Sequence, residues 1–221
     1  MDAAYDEIAG WYEREFLPRD TDDRLGIRRS IRGLLGRGSG ACLEVGCGTG
    51  AYAGLVGELG WTPVGADLSA GMLRYARSRL PVVRADAGRL PFRDGVLPAV
   101  VSVMAHTDMP GYMGVLREIA RVLRPGGVLV HVGVHPCFVG AFADWSGQEA
   151  VVIRPGYLDR HWTKASWTNE GLRDKVGASH WPLPGLLHGF LDAGLTLDRF
   201  GEGRAPVPMT LSVRARRATG S

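Results

Sequence analysis

The chain has 221 residues, 45% hydrophobic and 22% charged, which suits one globular domain with a sizeable core and excludes a disordered chain. A net charge of +3 argues against a nucleic-acid partner, which calls for a clustered basic face. No apolar run reaches the roughly 18–20 residues that span a bilayer, and the first residues lack the apolar segment of a signal peptide. We therefore expect a cytoplasmic protein that binds neither nucleic acid nor membrane.

The three cysteines are Cys42, Cys47 and Cys137. An odd number without a small-domain framework argues against disulfides and for a reducing compartment. Their spacing is not that of a metal site, so we expect no metal.

The first forty residues predict two helices, one over 8–16 that ends at Pro18 and one over 24–35. An alternation of strands and helices follows. The predicted strands are 42–45, 63–66, 82–85, 99–104 and 128–134; the predicted helices are 52–59, 112–123 and a segment from the cap Ser69 to residue 80. Near-continuous apolar strands separated by helices indicate an α/β, doubly wound fold with a parallel sheet.

The pattern changes after residue 134. Residues 136–184 are rich in Trp, Gly and His without a sustained period, which is typical of a lid or insertion. A helix is predicted over 186–193 and two closing strands over 195–200 and 209–215. We expect one domain in four parts: a helical cap (1–40), a ligand-binding core (41–134), an aromatic insertion (135–184) and a closing helix with a strand hairpin (185–221).

The most informative segment is residues 43–50, LEVGCGTG. A strand runs into Gly46, Gly48 and Gly50, which permit a sharp turn and a close approach of a ligand to the backbone. Asp67 ends the next strand, where a carboxylate accepts hydrogen bonds from both hydroxyls of a ribose. Because adjacent strand ends meet in such a sheet, one ligand contacts both.

The glycine loop is compatible with two classes of ligand. Residues 46–51 also satisfy the G-x-G-x-x-G/A fingerprint of dinucleotide-binding proteins. Glu44 argues against a pyrophosphate, because like charges repel, and it suits an ammonium and a sulfonium. S-adenosylmethionine combines those groups with ribose and adenine.

Four motifs in order resemble those of the class I S-adenosylmethionine-dependent methyltransferases. They are residues 43–50, the ribose motif at 65–69, the adenine segment at 85–87 with 90–92, and the Pro-Gly-Gly turn within 123–130. The resemblance implies a Rossmann-like methyltransferase fold, with seven strands in a mostly parallel sheet and one antiparallel strand in the C-terminal hairpin. It also implies S-adenosylmethionine as cofactor and S-adenosylhomocysteine as product.

The resemblance implies that Asp86 meets the adenine, that Leu68 and Met72 border the adenosine, and that Tyr5 and Tyr12 close over the methionine part. The spacing of Met72 is equally typical of core, and we expect Cys47 to act as a small filler. The predicted cofactor site comprises Tyr5, Tyr12, Glu44, Gly46, Cys47, Gly48, Tyr52, Asp67, Leu68, Met72, Asp86, Ala87, Met104 and Ala105.

Methyl transfer is an in-line displacement, so the enzyme has to align the reacting atoms and exclude water. An acceptor that loses a proton also needs a base with a pKa near neutrality. His106 and His135 follow the fourth and fifth strands and are the candidate bases, with Asp108 as an orienting group or substrate contact. His131 lies inside a strand, where a structural role is expected.

The insertion supplies many aromatic side chains: Phe138, Phe142, Trp145, Tyr157, Trp162, Trp167 and Trp181. They suit either a lid over a flat acceptor or a small satellite core, and the sequence leaves both open. As substrate contacts we name Phe138, Trp145, His161 and Trp162.

We therefore predict methyl transfer to a small organic acceptor of aromatic or phenolic type, as in specialised metabolism, by a monomer or homodimer. The alternatives are an NAD(P)-dependent oxidoreductase, a non-catalytic S-adenosylmethionine-binding protein, and an RNA or protein methyltransferase. Glu44 and the lack of a Tyr-x-x-x-Lys pair oppose the first, and the intact loop opposes the second. No separate RNA-binding module fits in 221 residues.

Overall fold

A computed structural model describes residues 3–20, 22–146, 150–165 and 171–219. The strands are β1 (Ala41–Val45), β2 (Thr62–Asp67), β3 (Val82–Arg84), β4 (Leu97–Val103), β5 (Leu123–Val134), β6 (Ala143–Asp144), β7 (Val152–Ile153), β8 (Leu195–Glu202) and β9 (Thr210–Arg217). The α-helices are α1 (Ala9–Trp11), α2 (Ile27–Leu35), α3 (Ala53–Glu58), α4 (Ala70–Ala76), α5 (Tyr112–Val122), α6 (Leu172–Val176) and α7 (Leu183–Asp192).

Seven strands form one sheet in the order β3-β2-β1-β4-β5-β9-β8. Strands β1 to β5 pair in parallel, with Val45 opposite Ala66 and Leu43 opposite Val100. Strand β9 runs antiparallel to both of its neighbours, β5 and β8. The predicted seven-stranded, mostly parallel sheet with one antiparallel C-terminal strand is confirmed.

Both faces of the sheet are covered by helices, as the apolar strands predict. Helices α2 and α3 cover one face, where Ile31 and Val56 are completely buried. Helices α5 and α7 cover the other face through side chains such as Leu116 and Phe190. Each such side chain stabilises the fold by about 1.5–3 kcal/mol. The helices leave the edge at the C-terminal ends of the parallel strands open to a ligand.

The N-terminal segment departs from the predicted single helix over 8–16. Only α1 is α-helical; a π-helical turn (Tyr12–Phe16) and a 3₁₀ turn (Leu17–Asp20) follow it. The wider turn lets the rings of Trp11 and Phe16, five positions apart, approach to 5.6 Å between centroids. The prediction that Pro18 ends this segment is wrong, because Pro18 lies inside the 3₁₀ turn.

Other boundaries shift by a few residues. Ser69 caps α4 as predicted, with its hydroxyl accepting from the Met72 N–H at 3.1 Å, but the helix ends four residues before Leu80. Helix α7 begins at Leu183, because Pro184 fits its first turn. The insertion contains the short ribbon of β6 and β7 and the helix α6. Among the described residues, no helix has the length and hydrophobicity that crossing a membrane requires.

Candidate active site

A cavity of about 1110 Å³ opens at the C-terminal ends of β1, β2 and β4. Its walls come from segments distant in sequence: the glycine loop after β1, the end of β2, residues 85–88, residues 103–111, the N-terminal segment, α6 and the loop between β8 and β9. The topology therefore brings one site together from the cap, the core, the insertion and the closing hairpin.

The glycine loop needs its glycines for two different reasons. Gly46, Gly48 and Gly50 have φ of 68°, 53° and 77°, in the left-handed region that side chains with a β-carbon avoid. A β-carbon at Gly46 would lie 2.9 Å from that of Ala105. A β-carbon at Gly48 would meet nothing within 4 Å and would project into open space, so this glycine leaves room for a ligand against the backbone.

Asp67 joins the glycine loop to the end of β2. One carboxylate oxygen accepts the Gly48 N–H at 2.8 Å, and the other accepts the Ser69 N–H at 2.8 Å. Burial raises the pKa of this carboxyl group, and the two backbone hydrogen bonds oppose that rise. The two hydrogen bonds thus fix the carboxylate in the wall of the cavity at the end of β2.

Glu44 lies beside the loop with only 3% of its surface exposed. Its Oε1 has no hydrogen-bond partner among the described residues, and burial raises its pKa from 4.5 to about 7. In the described lining, residues 44–52 and 66–72 contribute the carboxylates of Glu44 and Asp67 but no lysine or arginine. A buried carboxylate without a partner fits an ammonium group, and this wall has no cation for a pyrophosphate.

The N-terminal segment is fastened over the cavity by Asp6. One Asp6 oxygen accepts from the Ser69 hydroxyl at 2.6 Å and from the Gly71 N–H at 2.8 Å. These hydrogen bonds lower the pKa of the Asp6 carboxyl group. The segment thereby holds Tyr5 and Tyr12 in the cavity wall, with their rings edge to face at 5.9 Å.

An ion pair between Arg173 and Asp108 joins the insertion to the loop after β4. The Arg173 guanidinium is buried and also donates to the Thr107 hydroxyl at 3.1 Å and to the Gly177 carbonyl at 3.3 Å. Burial raises the pKa of Asp108, while the guanidinium opposes that rise. Arg173 carried no recognisable sequence signal, because its partner lies 65 positions away.

Every residue that the sequence assigned to the cofactor site lines this cavity, from Tyr5 and Tyr12 to Met104 and Ala105. Met104 has φ of 53°, a strained conformation for a residue other than glycine. Strained backbone of this kind concentrates at functional sites. The roles of these residues in binding stay predictions.

The two candidate bases do not line the cavity, although Asp108 does. His106 is 2% exposed, and its ring packs against His131 at 5.0 Å between centroids. His135 is held on both sides, by the Glu202 carboxylate at 2.9 Å and by the Cys137 N–H at 3.2 Å. The structure thus places both rings within packed surroundings, and their role as bases stays a prediction.

Of the predicted substrate contacts, Trp162 lines the cavity, whereas Phe138, Trp145 and His161 do not. Trp145 donates its indole N–H to the Phe138 carbonyl at 2.8 Å and packs against the small apolar cluster of Val139 and Ala178. This tryptophan therefore belongs to a satellite core. Trp167 lies outside the described residues.

The sheet order and the acidic glycine-loop site define the fold of the class I S-adenosylmethionine-dependent methyltransferases. Residues 43–131 match the family described as "Methyltransferase domain". The match begins at the glycine motif and ends in β5, before the insertion. The S-adenosylmethionine-dependent methyltransferase from Mesorhizobium loti has the same fold, with a TM-score of 0.72, 24% identity, and coverage of 86% of this chain and 96% of that one.

Curated relatives are similar over part of their length. The demethylmenaquinone methyltransferase of Mycolicibacterium paratuberculosis is 41% identical over 105 residues, which are 47% of this chain and 46% of the relative. The chain thus spans about half the length of the curated relatives it matches. The [4+2]-cyclase SpnF is also similar in structure, with a TM-score of 0.65, 18% identity, and coverage of 89% of this chain and 81% of that one.

Proposed function

We propose that this chain binds S-adenosylmethionine and transfers its methyl group to a small organic acceptor. The observation that carries the proposal is the buried, unpartnered carboxylate of Glu44 beside the open face of Gly48. Together with Asp67 it forms an anionic wall that suits an aminoacyl sulfonium nucleoside. The same wall disfavours a nicotinamide dinucleotide, whose pyrophosphate would meet two carboxylates.

When bound, S-adenosylmethionine supplies a methyl group made electrophilic by its sulfonium. Glu44 would hold the ammonium group, Asp67 the ribose hydroxyls and Asp86 the adenine. The chain's other contribution is position: Tyr5 and Tyr12 close one side of the cavity, and α6 with Trp162 closes another. Alignment of this kind, with water excluded, supplies up to about 7–11 kcal/mol in favourable cases.

Asp108 is the candidate group for removing a proton from the acceptor, because the sequence analysis named it and it lines the cavity. Burial raises its pKa. Its ion pair with Arg173 favours an orienting role, because a carboxylate already engaged with a guanidinium is a weak base. We therefore propose that positioning is the main contribution to the transfer and that Asp108 orients the acceptor.

The acceptor is proposed to be small and to carry an aromatic ring. The relatives named demethylmenaquinone methyltransferases suggest a quinone ring as one form of it. The matched family core ends at residue 131, whereas α6, Trp162 and the loop between β8 and β9 lie beyond it and line the cavity. The acceptor is therefore expected to depend on residues that lie outside the matched core.

Calorimetry with S-adenosylhomocysteine and NADH tests the cofactor. We expect the purified chain to bind S-adenosylhomocysteine and not NADH. Asp67→Ala should weaken the affinity by about 1–3 kcal/mol, because buried polar groups lose their partner. The control is Asp192→Ala, which removes an exposed carboxylate at the end of α7 and should leave the affinity unchanged.

Binding of NADH in place of S-adenosylhomocysteine would reverse the proposal. Transfer itself is tested by following a labelled methyl group into small-molecule extracts, tRNA and protein in parallel. Labelling of tRNA or protein alone would contradict a small acceptor. The label is essential because one structural neighbour is named a cyclase, so the fold alone does not establish methyl transfer.

A further inference from the structure

We propose that the acceptor carries an anionic group and that Arg24 and Arg204 bind it at the mouth of the cavity. This inference rests on the proposed function and specifies its substrate class. Both arginines line the cavity, and neither has a hydrogen-bond or ion-pair partner among the residues that the structure describes. No family motif predicted either residue.

Arg24 and Arg204 come from two segments that pack directly against each other. The Thr210 hydroxyl donates to the Leu25 carbonyl at 2.7 Å, and the Gly203 N–H donates to the Thr210 carbonyl at 3.0 Å. A β-carbon at Gly26 would lie only 3.8 Å from the Arg204 nitrogen. The two guanidinium groups therefore leave neighbouring stretches of backbone at one end of the cavity.

Two of the nearby carboxylates, Asp23 and Glu202, are engaged by other groups. Asp23 accepts the N–H groups of Arg28 and Arg29 at 2.8 and 3.0 Å. Glu202 pairs with His135, and neither acid is among the residues that line the cavity in the described structure. In the described structure, the parts of these two segments that line the cavity therefore carry arginines and no carboxylate.

The same two segments also supply an apolar wall. Leu25, Ile27, Pro206 and Met209 line the cavity next to the arginines. Low-dielectric walls strengthen the field of nearby charges. A flat apolar body with one anionic substituent matches this combination, since its ring would lie on the wall and its anion would reach the guanidinium fork.

The distribution of charge over the cavity supports an anion at this end. Glu44, Asp67 and Asp86 line the part assigned to the cationic cofactor. Asp108 and Arg173 neutralise each other between the two parts. Arg19 also lines the cavity; its guanidinium donates to the Glu15 carbonyl at 3.1 Å and lies near aromatic rings, and because these partners are neutral it keeps its positive charge. Arg24 and Arg204 add two further positive charges, which are opposite in sign to the anionic cofactor wall.

A pair of probes with one ring system tests the inference. Anilinonaphthalene sulfonate carries an anion, and phenylnaphthylamine is the same ring system without the sulfonate. Fluorescence titration of the S-adenosylhomocysteine-saturated protein should show the sulfonate binding at least about tenfold tighter. The double variant Arg24→Gln with Arg204→Gln should abolish this preference. Arg93→Gln, which changes an exposed arginine outside the lining, should preserve it.

Equal binding of the two probes would overturn the inference and would favour a neutral ring such as a quinone. An undiminished preference for the sulfonate in the double variant would also overturn it. Calorimetry with S-adenosylhomocysteine separates this result from the proposed function: intact cofactor binding without probe discrimination rejects the anion site alone. If the cofactor product does not bind, the proposed function fails, and the probes still report on the two arginines in the ligand-free protein.

Discussion

Glu44 is buried at a cost to stability and is the proposed partner of the cofactor's ammonium group. Its carboxyl group is 3% exposed at the end of β1, and its pKa is raised to about 7 in the ligand-free protein. Near pH 7 the group is therefore close to half protonated, and an ammonium group binds only the ionised form. Binding should thus release a proton from part of the population.

We predict that the affinity for S-adenosylhomocysteine rises by about tenfold between pH 6 and pH 8, as ionisation at a pKa near 7 requires. Glu44→Gln should weaken binding at pH 8 and flatten this profile. Calorimetry across the range measures both effects. A variant that keeps the slope of the parent protein would assign the titration to another group.

The same substitution has an opposite effect on folding. Because the folded-state pKa of Glu44 lies above its ordinary value of 4.5, the folded protein binds more protons between these values, and stability falls as the pH rises through them. Glu44→Gln removes this loss and should raise the melting temperature at pH 8. A loss of affinity together with a gain of stability would identify a binding group rather than a packing residue.

At the scale of elements, α6 is five residues long and too short to be stable in water by itself. Its position depends on Arg173, which bonds to Asp108, Thr107 and Gly177. Arg173→Met should lower the free energy of unfolding by about 3–5 kcal/mol, because it leaves Asp108 without its charge partner. It should also expose α6 to proteolysis.

Urea denaturation and limited proteolysis measure these effects. Adding Asp108→Asn to Arg173→Met should recover part of the stability, because the unpaired carboxylate is then removed. Arg154→Met is the control within the insertion; it breaks an exposed pair with Asp144 and should leave the stability nearly unchanged. Equal losses for Arg154→Met and Arg173→Met would show that Arg173 does not hold α6.

The core elements were predictable because their signals are local in sequence. The apolar runs set the strands, and Glu44 and Asp67 each lie where a strand ends, so their place at the cavity follows from the topology. His106 also follows a strand, but the 3₁₀ turn His106–Asp108 directs its ring into the core and Asp108 to the cavity. Sequence position alone does not determine the direction of a side chain after a strand.

The positions of Arg173, Arg24 and Arg204 at the cavity were not predictable for a different reason. Each depends on the packing of segments that are far apart in sequence. The insertion showed this most clearly, since Trp162 reaches the cavity while Trp145 packs into a satellite cluster. Composition indicated an aromatic segment, and only packing separates these two roles.

Two neutral histidines, His106 and His131, are buried between the sheet and the helices α5 and α7. His131 accepts from or donates to the Tyr112 hydroxyl at 2.8 Å, and its ring lies near Phe190. Burial lowers the pKa of His131 from 6.5 to about 3 and that of His106 well below its usual range. The tight packing needs Gly133, where a β-carbon would lie 2.4 Å from the His106 ring nitrogen.

These histidines should make the fold sensitive to acid. Their folded-state pKa values lie below the unfolded value, so the unfolded chain binds more protons, and the free energy of unfolding falls as the pH drops from 6.5 towards 3. Within this window each buried histidine contributes a slope of up to about 1.4 kcal/mol per pH unit. Urea denaturation from pH 7 to pH 4 measures the total slope.

His131→Gln keeps a polar partner for Tyr112 and should reduce that slope by about one proton, whatever it does to stability at pH 7. His188→Gln changes an exposed histidine of α7 and should leave the slope as it is. The comparison separates the titration of the core from that of the acidic site. An unchanged slope in His131→Gln would mean that the carboxylates, and not the buried imidazoles, set the acid limit of this fold.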